Sequence, residues 1–175
     1  MHLDVQHTWE LSAVRATELR ALLDLAFAGD FADTDFDHAL GGVHAFVTDA
    51  AGVLVGHAAV VARAMMIDGI PRRAGYVEAV AVDPGRQHQG IGDQLMTAIE
   101  RVIVGAYDFG ALSASRAGLR LYRSHGWRPW EGTVSAMTPT GVIPTPDDAD
   151  SVFVYGGPHP AVGELTGDWR SGDLW

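Results

Sequence analysis

The sequence has 175 residues, 47% of them hydrophobic, and its 22 acidic and 12 basic residues give a formal net charge of −10. This length and composition predict a single globular domain, residues 1–175, with its own hydrophobic core. The acidic excess disfavours binding to nucleic acid or to an anionic membrane surface, and it favours a cationic partner.

The absence of cysteine excludes a disulfide, a thiolate metal site and a cysteine nucleophile, so direct group transfer is the simpler chemistry. The eight histidines show no H-x-x-x-H or H-E-x-x-H spacing, and we therefore predict no metal site. No apolar run approaches the roughly 18 residues of a membrane-spanning helix, and the first residues do not form a signal segment. We expect a cytoplasmic protein.

The first third of the chain predicts a strand, a helix and an acidic loop. Leu3 to Trp9 favours a strand, and apolar residues at helical spacing predict a helix from Ala13 to Phe27, which Gly29 ends. Four aspartates lie within residues 30–37, where Thr34 is the expected N-cap of a short helical turn. The aspartates are either ordinary turn formers or a rim that attracts cations.

The middle of the chain predicts a three-stranded antiparallel meander. The pattern predicts two antiparallel strands, Val43 to Thr48 and Val53 to Met66, which are joined by one turn. Asp68-Gly69 is a hairpin signal before a third strand from Arg72 to Val82.

The segment from Tyr76 to Arg101 combines an apolar strand, a turn, a glycine loop and a helix. Glu78 interrupts the strand Y-V-E-A-V-A-V, and a carboxylate buried there needs a partner or a chemical role. The loop Q-H-Q-G-I-G, residues 87–92, then opens the helix. Free amides at a helix N-terminus bind phosphate, and glycine allows a close approach. The segment therefore predicts a pyrophosphate site.

The last third predicts three strands and a helix, followed by an acidic tail. The helix is predicted to contain Tyr122 and to end at Gly126. We expect the proline-containing segment 138–150 to be a stiff surface loop, and the aromatic tail 163–175 to fold back onto the domain. The predicted elements are Gly110–Ser113, Arg116–His125, Val134–Met137 and Val152–Tyr155.

Three acidic clusters, in residues 30–37, 147–150 and 164–173, contain ten of the 22 acidic residues. Arg86 instead lies beside the predicted phosphate loop. This charge layout is expected when an anionic cosubstrate and a polycationic acceptor approach from different sides, so we predict a polyamine-like acceptor.

The strand with Glu78 and the Q-x-x-G-x-G loop resembles the acetyl-CoA loop of the GNAT N-acetyltransferase superfamily. R-L-Y-R-S-H-G-W, residues 120–127, resembles the GNAT helix whose tyrosine lies near the sulfur of CoA. Nearly the whole chain is also similar to the aminoglycoside 2'-N-acetyltransferases of the mycobacterial chromosomal type. The segments that carry this second resemblance are 26–44, 75–82, 105–115, 145–148 and 168–175.

The resemblance implies the GNAT acyl-CoA N-acyltransferase fold, an α+β domain with a mixed, mostly antiparallel sheet flanked by helices. It also implies acetyl transfer from acetyl-CoA to the 2'-amine of an aminoglycoside, a role in antibiotic resistance, and a homodimer. Two alternatives stay open. The protein is either a GNAT enzyme for another polyamine, a cell-wall amino sugar or a protein N-terminus, or a protein that binds acyl-CoA or drug without catalysis.

Carried over residue by residue, the resemblance implies a general base, an acid and two binding sets. Glu78, acting through water, is the first candidate for the base and the Trp175 carboxylate is the second, while Tyr122 would protonate the leaving thiolate. The Val80 amide would polarise the thioester carbonyl. The implied aminoglycoside contacts are Asp30, Asp35, Glu78, Ala79, Ser113, Asp148, Asp173 and Trp175. The implied acetyl-CoA contacts are Val80, Ala81, Val82, Gln87, His88, Gln89, Gly90, Ile91 and Gly92.

Overall fold

The computed structural model describes all residues from Met1 to Trp175, which form four α-helices and ten β-strands. The helices are α1 (Ala13–Ala26), α2 (Asp33–His38), α3 (Ile91–Ala106) and α4 (Leu119–Ser124). The strands are β1 (His2–His7), β2 (Val43–Thr48), β3 (Leu54–Ile67), β4 (Ile70–Val82), β5 (Phe109–Ser113), β6 (Arg128–Pro129), β7 (Glu131–Thr138), β8 (Gly141–Pro144), β9 (Val152–Tyr155) and β10 (Val162–Gly167).

The chain divides into two compact units. The first unit comprises residues 1–61 and 77–102, and the second comprises residues 62–76 and 103–175. Strands β3 and β4 therefore contribute residues to both units. None of the helices is long and apolar enough to cross a membrane.

In the first unit, β1 pairs antiparallel with β2, and β2 pairs antiparallel with β3. Helix α1 begins after Ser12, whose hydroxyl accepts a hydrogen bond from the Arg15 N–H at 3.1 Å. It buries one apolar face, and positive φ at Ala28 and Gly29 ends it one residue before the predicted boundary. The core residues around this face are Leu19, Leu22, Leu23, Phe31, Phe46, Leu54 and Ala81.

Helix α2 corrects the prediction that Thr34 is an N-cap. The N-cap is Ala32, and the Asp35 carboxylate accepts the Ala32 N–H at 2.8 Å. Because a carboxylate in the first turn can reach back to a free backbone N–H, the helix begins at Asp33 and Thr34 lies inside it. The predicted acidic rim is also partly neutralised, since Arg20 pairs with Asp33 at 2.6 Å.

In the second unit, the strands follow the order β6-β9-β5-β4-β3-β10-β7-β8. The β4–β5 and β10–β7 pairs are parallel, whereas β10–β3, β5–β9, β6–β9 and β7–β8 are antiparallel. Together with the antiparallel pairs of the first unit, these pairings confirm the predicted α+β class with a mixed, mostly antiparallel sheet.

Three stretches of the second unit differ from the prediction. The expected loop 138–150 contains strand β8 and a 3₁₀ turn at Pro146–Asp148, and the tail contains a further strand, β10. The sequence V-G-E-L-T-G of β10 has weak strand propensity, but it pairs on both sides and buries Leu165 completely. Tertiary pairing outweighs local propensity here. Helix α4 is shorter than the predicted Arg116–His125.

Candidate active site

The end of β4 leaves regular strand geometry at the residues predicted to be catalytic. Ladder pairing with β5 runs only from Ala74 to Tyr76, and Ala79 has a φ of +50°. A non-glycine residue in this region carries strain of about 1–3 kcal/mol, which the surroundings must offset. The structure corrects the expectation of a buried carboxylate, because Glu78, like Ala79 and Val80, is half-buried. These residues can therefore be reached from solvent.

The predicted phosphate loop begins with a tight turn after β4. The Asp83 carboxylate accepts the Gly85 N–H at 2.7 Å, and a 3₁₀ turn covers Pro84–Arg86. His88 and Gly90 both have positive φ, 60° and 75°, so the exposed chain curls back before α3 starts at Ile91. The first amides of α3 have no partner within the helix and carry the positive end of its dipole.

Close packing fixes the start of α3 on β3. Ile91 is 1% exposed, and a Cβ built on Gly56 would lie 2.5 Å from Ile91 Cγ2 and 3.2 Å from Leu95 Cδ1. Only glycine at position 56 therefore allows the helix to lie this close to the strand. Arg86 pairs with Asp49 at 3.1 Å, so the one arginine in the turn before the loop already has a carboxylate partner.

Two fully buried histidines connect the start of the chain to the end of β4. Thr8 Oγ1 lies 2.8 Å from His44 Nε2, His44 Nδ1 lies 2.9 Å from His57 Nε2, and His57 Nδ1 lies 2.8 Å from the Ala79 carbonyl oxygen. Burial lowers the pKa of His57 to about 3 and that of His44 to about 4. Both rings are therefore neutral near pH 7. This pair was not identified from the sequence, where the histidines were considered only as metal ligands.

In the second unit, four of the predicted acceptor-binding residues gather around the turn at Thr145. Ser113 Oγ lies 2.9 Å from Ser151 Oγ, and the Ser151 hydroxyl donates to the Asp148 carbonyl at 2.8 Å. Trp175 is 6% exposed, and its indole N–H donates to Thr145 Oγ1 at 2.8 Å.

The charge of this cluster is negative. Burial raises the pKa of the Asp148 carboxyl, and the nearby carboxylates of Asp173 and Asp147 raise it further, against a hydrogen bond from Thr145. A cation placed among these groups would relieve their repulsion.

A buried arginine holds the segment that leads to Trp175. Arg63 Nε donates to Asp168 Oδ1 at 2.6 Å, and its Nη2 donates to the Asp168 carbonyl at 2.9 Å. The Tyr76 ring has Arg63 Cζ at 4.6 Å and Arg170 Cζ at 5.2 Å. Arg63 was missed at the sequence level, although an arginine inside the apolar run A-V-V-A-R-A-M-M-I is the same kind of signal as Glu78.

Tyr122 packs inside the second unit. It is 7% exposed, and a Cβ on Gly118 would lie 2.5 Å from its Cε2 and 3.2 Å from its hydroxyl oxygen. The tyrosine ring therefore lies directly over the backbone before α4.

Asp30 and Asp35, two predicted acceptor contacts, lie in the first unit. Asp30 is exposed, and the half-buried Asp35 is engaged as the backbone cap of α2. No group of three or more His, Asp or Glu side chains in residues 1–175 is arranged to hold a metal ion.

The sequence and the fold have clear relatives. Residues 41–129 match the acetyltransferase (GNAT) domain family. An aminoglycoside 2'-N-acetyltransferase of Mycolicibacterium fortuitum is 44% identical, over 97% of this chain and 89% of that protein.

Two solved structures share the fold at lower identity. YhbS, a GNAT family N-acetyltransferase of Escherichia coli in complex with CoA, has a TM-score of 0.65 at 18% identity, covering 95% of this chain and 88% of its own. A GNAT family acetyltransferase of Brucella melitensis in complex with acetyl-CoA has a TM-score of 0.61 at 16% identity, covering 97% of both chains. The predicted GNAT fold is confirmed.

The contact at Gly56 predicts how the phosphate loop responds to one added methyl group. Gly56→Ala should displace the first turn of α3 and raise the Kd for acetyl-CoA by about tenfold, since overpacking costs about 1–3 kcal/mol. Gly105→Ala is the matched control, because a Cβ there meets no atom within 4 Å. Isothermal titration calorimetry measures both. Equal affinities in the two variants would contradict the prediction that the start of α3 binds acetyl-CoA.

The buried histidines predict that the fold loses stability in mild acid. Their folded pKa values lie below the ordinary 6.5, so the unfolded chain binds more protons, and stability falls as the pH drops below about 6.5. Each histidine should remove about 2 kcal/mol between pH 7.5 and pH 5. Urea denaturation at both pH values measures this loss. His57→Asn, which cannot be protonated, should show a smaller loss than wild type, and an unchanged loss would refute the account.

Proposed function

We propose that this chain, which belongs to the aminoglycoside 2'-N-acetyltransferases within the GNAT acetyltransferase family, transfers acetyl from acetyl-CoA directly to the 2'-amine of an aminoglycoside. The observation that carries this proposal is the likeness to the Mycolicibacterium fortuitum enzyme, which extends over nearly the whole chain. The half-buried Glu78 and the curled loop before α3 support the same chemistry.

Acetyl-CoA would bind to the end of β4 and to the start of α3. Its pantetheine arm would lie along the backbone of Val80, Ala81 and Val82, past the point where β4 pairs with β5. Its pyrophosphate would accept hydrogen bonds from the loop Gln87, His88, Gln89, Gly90, Ile91 and Gly92. Positive φ at His88 and Gly90 and the dipole of α3 support this role. Because Arg86 is paired with Asp49, backbone amides rather than a free arginine supply the attraction.

The acceptor would be held by carboxylates, which suit a ligand with several ammonium groups. The Asp173 carboxylate helps to raise the pKa of Asp148, and a bound ammonium group would favour the ionised form of Asp148. Ser113 and Trp175 lie in the same cluster around Thr145. We include Asp30, Asp35, Glu78 and Ala79 in the proposed acceptor set as the family resemblance implies.

The reaction needs a neutral amine. Glu78 would take the proton of the 2'-ammonium group through a water molecule, with the Trp175 carboxylate as the second candidate for this role. The amine nitrogen then bonds to the thioester carbon while the Val80 N–H stabilises the developing oxyanion. The C–S bond breaks as the tetrahedral intermediate collapses, and the Tyr122 hydroxyl would donate a proton to the departing thiolate. The second proton of the attacking nitrogen leaves to solvent, from which Tyr122 regains its proton. The products are the 2'-N-acetyl aminoglycoside and CoA.

The cellular setting that fits this activity is the cytoplasm, where acetyl-CoA is available. Acetylation removes a positive charge from the drug, so we further propose that the enzyme confers aminoglycoside resistance and acts as a homodimer.

The 2' position itself gives the sharpest test of the acceptor. Kanamycin B has an amine at this position and kanamycin A has a hydroxyl, so we expect thiol release from acetyl-CoA with the first and almost none with the second. A continuous thiol assay measures both rates, and mass spectrometry locates the acetyl group. Equal turnover of the two drugs would contradict 2' specificity. Silence with both, in protein that binds acetyl-CoA, would favour a polyamine or an amino sugar as the acceptor.

Glu78→Gln separates the base from the binding role in the same assay. A lost general base should lower kcat by on the order of 100-fold and remove the acidic limb of the pH profile, because a base stops working when it is protonated. Deletion of Trp175 tests the second candidate. Unchanged rates and pH profiles in both variants would refute this assignment of the base.

A further inference from the structure

Only one placement of protons on His44 and His57 satisfies the hydrogen bonds of the two rings. The Ala79 carbonyl can only accept, so His57 must carry its proton on Nδ1. A neutral imidazole has a single N–H, and His57 Nε2 is therefore the acceptor for Nδ1–H of His44. By the same reasoning, His44 Nε2 accepts from the Thr8 hydroxyl. The low pKa values of both rings agree with two neutral histidines.

The far end of this chain of hydrogen bonds is anchored on backbone. Thr8 Oγ1 accepts the N–H groups of Gly41 at 2.8 Å and Gly42 at 3.1 Å, and the Thr8 N–H donates to the Gly42 carbonyl at 2.9 Å. Phe46 covers the two imidazoles, with ring centroids 5.7 Å from His44 and 5.2 Å from His57. Each polar atom of the two rings thus has a partner, which is what allows both to be completely buried.

This arrangement cannot act as a proton relay. It ends on a carbonyl oxygen, which carries no exchangeable proton, so a proton delivered to the Ala79 carbonyl has no further path through that atom. What the chain can do is fix the direction of one peptide group.

The peptide group that it fixes joins Ala79 to Val80. Every peptide bond of the protein is trans, and in a trans peptide the C=O and the following N–H lie in one plane and point in opposite directions. When His57 holds the Ala79 carbonyl, it therefore also sets the direction of the Val80 N–H. A hydrogen bond to the carbonyl further polarises the amide and makes its N–H a stronger donor.

We propose that His57, held in place by His44 and Thr8, is a positioning residue that aims the Val80 N–H at the thioester oxygen and keeps Ala79 in its left-handed conformation. This inference rests on the proposed function, in which the Val80 amide stabilises the oxyanion. Because the Val80 N–H acts most strongly in the transition state, loss of the positioning residue should lower kcat more than it raises KM.

A pair of substitutions tests the proposal. His57→Asn retains a side-chain N–H near the position of Nδ1, whereas His57→Leu fills the space without a donor. We expect His57→Leu to lower kcat by on the order of 10- to 100-fold with a smaller change in the KM for acetyl-CoA, and His57→Asn to recover most of that loss. Ile103→Ala, which opens a cavity in the second unit, controls for lost stability and should retain kcat below its Tm. Equal kcat values for the two His57 variants would overturn the proposal.

Nuclear magnetic resonance gives a second reading that does not depend on the acceptor. Side-chain ¹⁵N shifts should show His44 and His57 as neutral Nδ1–H tautomers at pH 7, and the Val80 amide resonance should move in His57→Leu and return in His57→Asn. An Nε2–H tautomer at His57, or a Val80 amide shift that is unchanged in both variants, would refute the positioning role. If the wild-type protein acetylates no aminoglycoside, the proposed function fails, and the tautomers and the Val80 shift still decide whether His57 orients this peptide.

Discussion

The peptide group between Ala79 and Val80 is the constraint on which the rest of the proposed site depends. Up to Tyr76, β4 is an ordinary strand of the second unit, with ladder pairs to β5. At Ala79 the backbone enters the left-handed region, and Glu78, Ala79 and Val80 are half-buried. The strain energy of the left-handed conformation at Ala79 is of the same order as the free energy of the hydrogen bond from His57 to the Ala79 carbonyl, which stabilises this conformation.

The loop before α3 is proposed to bind phosphate through backbone amides, whereas many phosphate sites use lysine or arginine side chains. The chain contains no lysine, and Arg86 is occupied by Asp49. In the proposed site, the attraction for a pyrophosphate would therefore come from the amides and dipole of α3, whose position depends on the missing side chain at Gly56. Three acidic residues of the second unit, Asp147, Asp148 and Asp173, lie close enough to interact near Thr145, where their charge suits a cation.

Much of this could be predicted from the sequence where the signal is local. Four elements have a sequence pattern that is contained in a few consecutive residues, and the structure confirms these elements closely. They are the Glu78 strand, the glycine loop, the helix Ala13–Phe27 and the β2–β3 hairpin. The prediction that Thr34 is the N-cap was wrong because this short segment has two possible helix starts. The hydrogen bond from the Ala32 N–H to the Asp35 carboxylate stabilises the earlier one. The family resemblance supplied the candidate residues, whose roles stay proposals.

The remaining features could not be predicted because they join residues that are distant in the sequence. The hydrogen bonds from Thr8 through His44 and His57 to Ala79 span four separate segments, and no spacing rule connects them. Arg63 and Asp168 are 105 residues apart. Strand β10 exists because β3 and β7 both pair with it, which no property of V-G-E-L-T-G reveals.

The most direct test of the central claim, that the end of β4 and the start of α3 hold acetyl-CoA by their backbone amides, is a titration of ¹⁵N-labelled protein with CoA followed by its amide resonances. The account predicts that the largest shifts fall on Val80 to Val82 and on residues 87–92. Large shifts elsewhere, with these amides unmoved at saturating CoA, would contradict it.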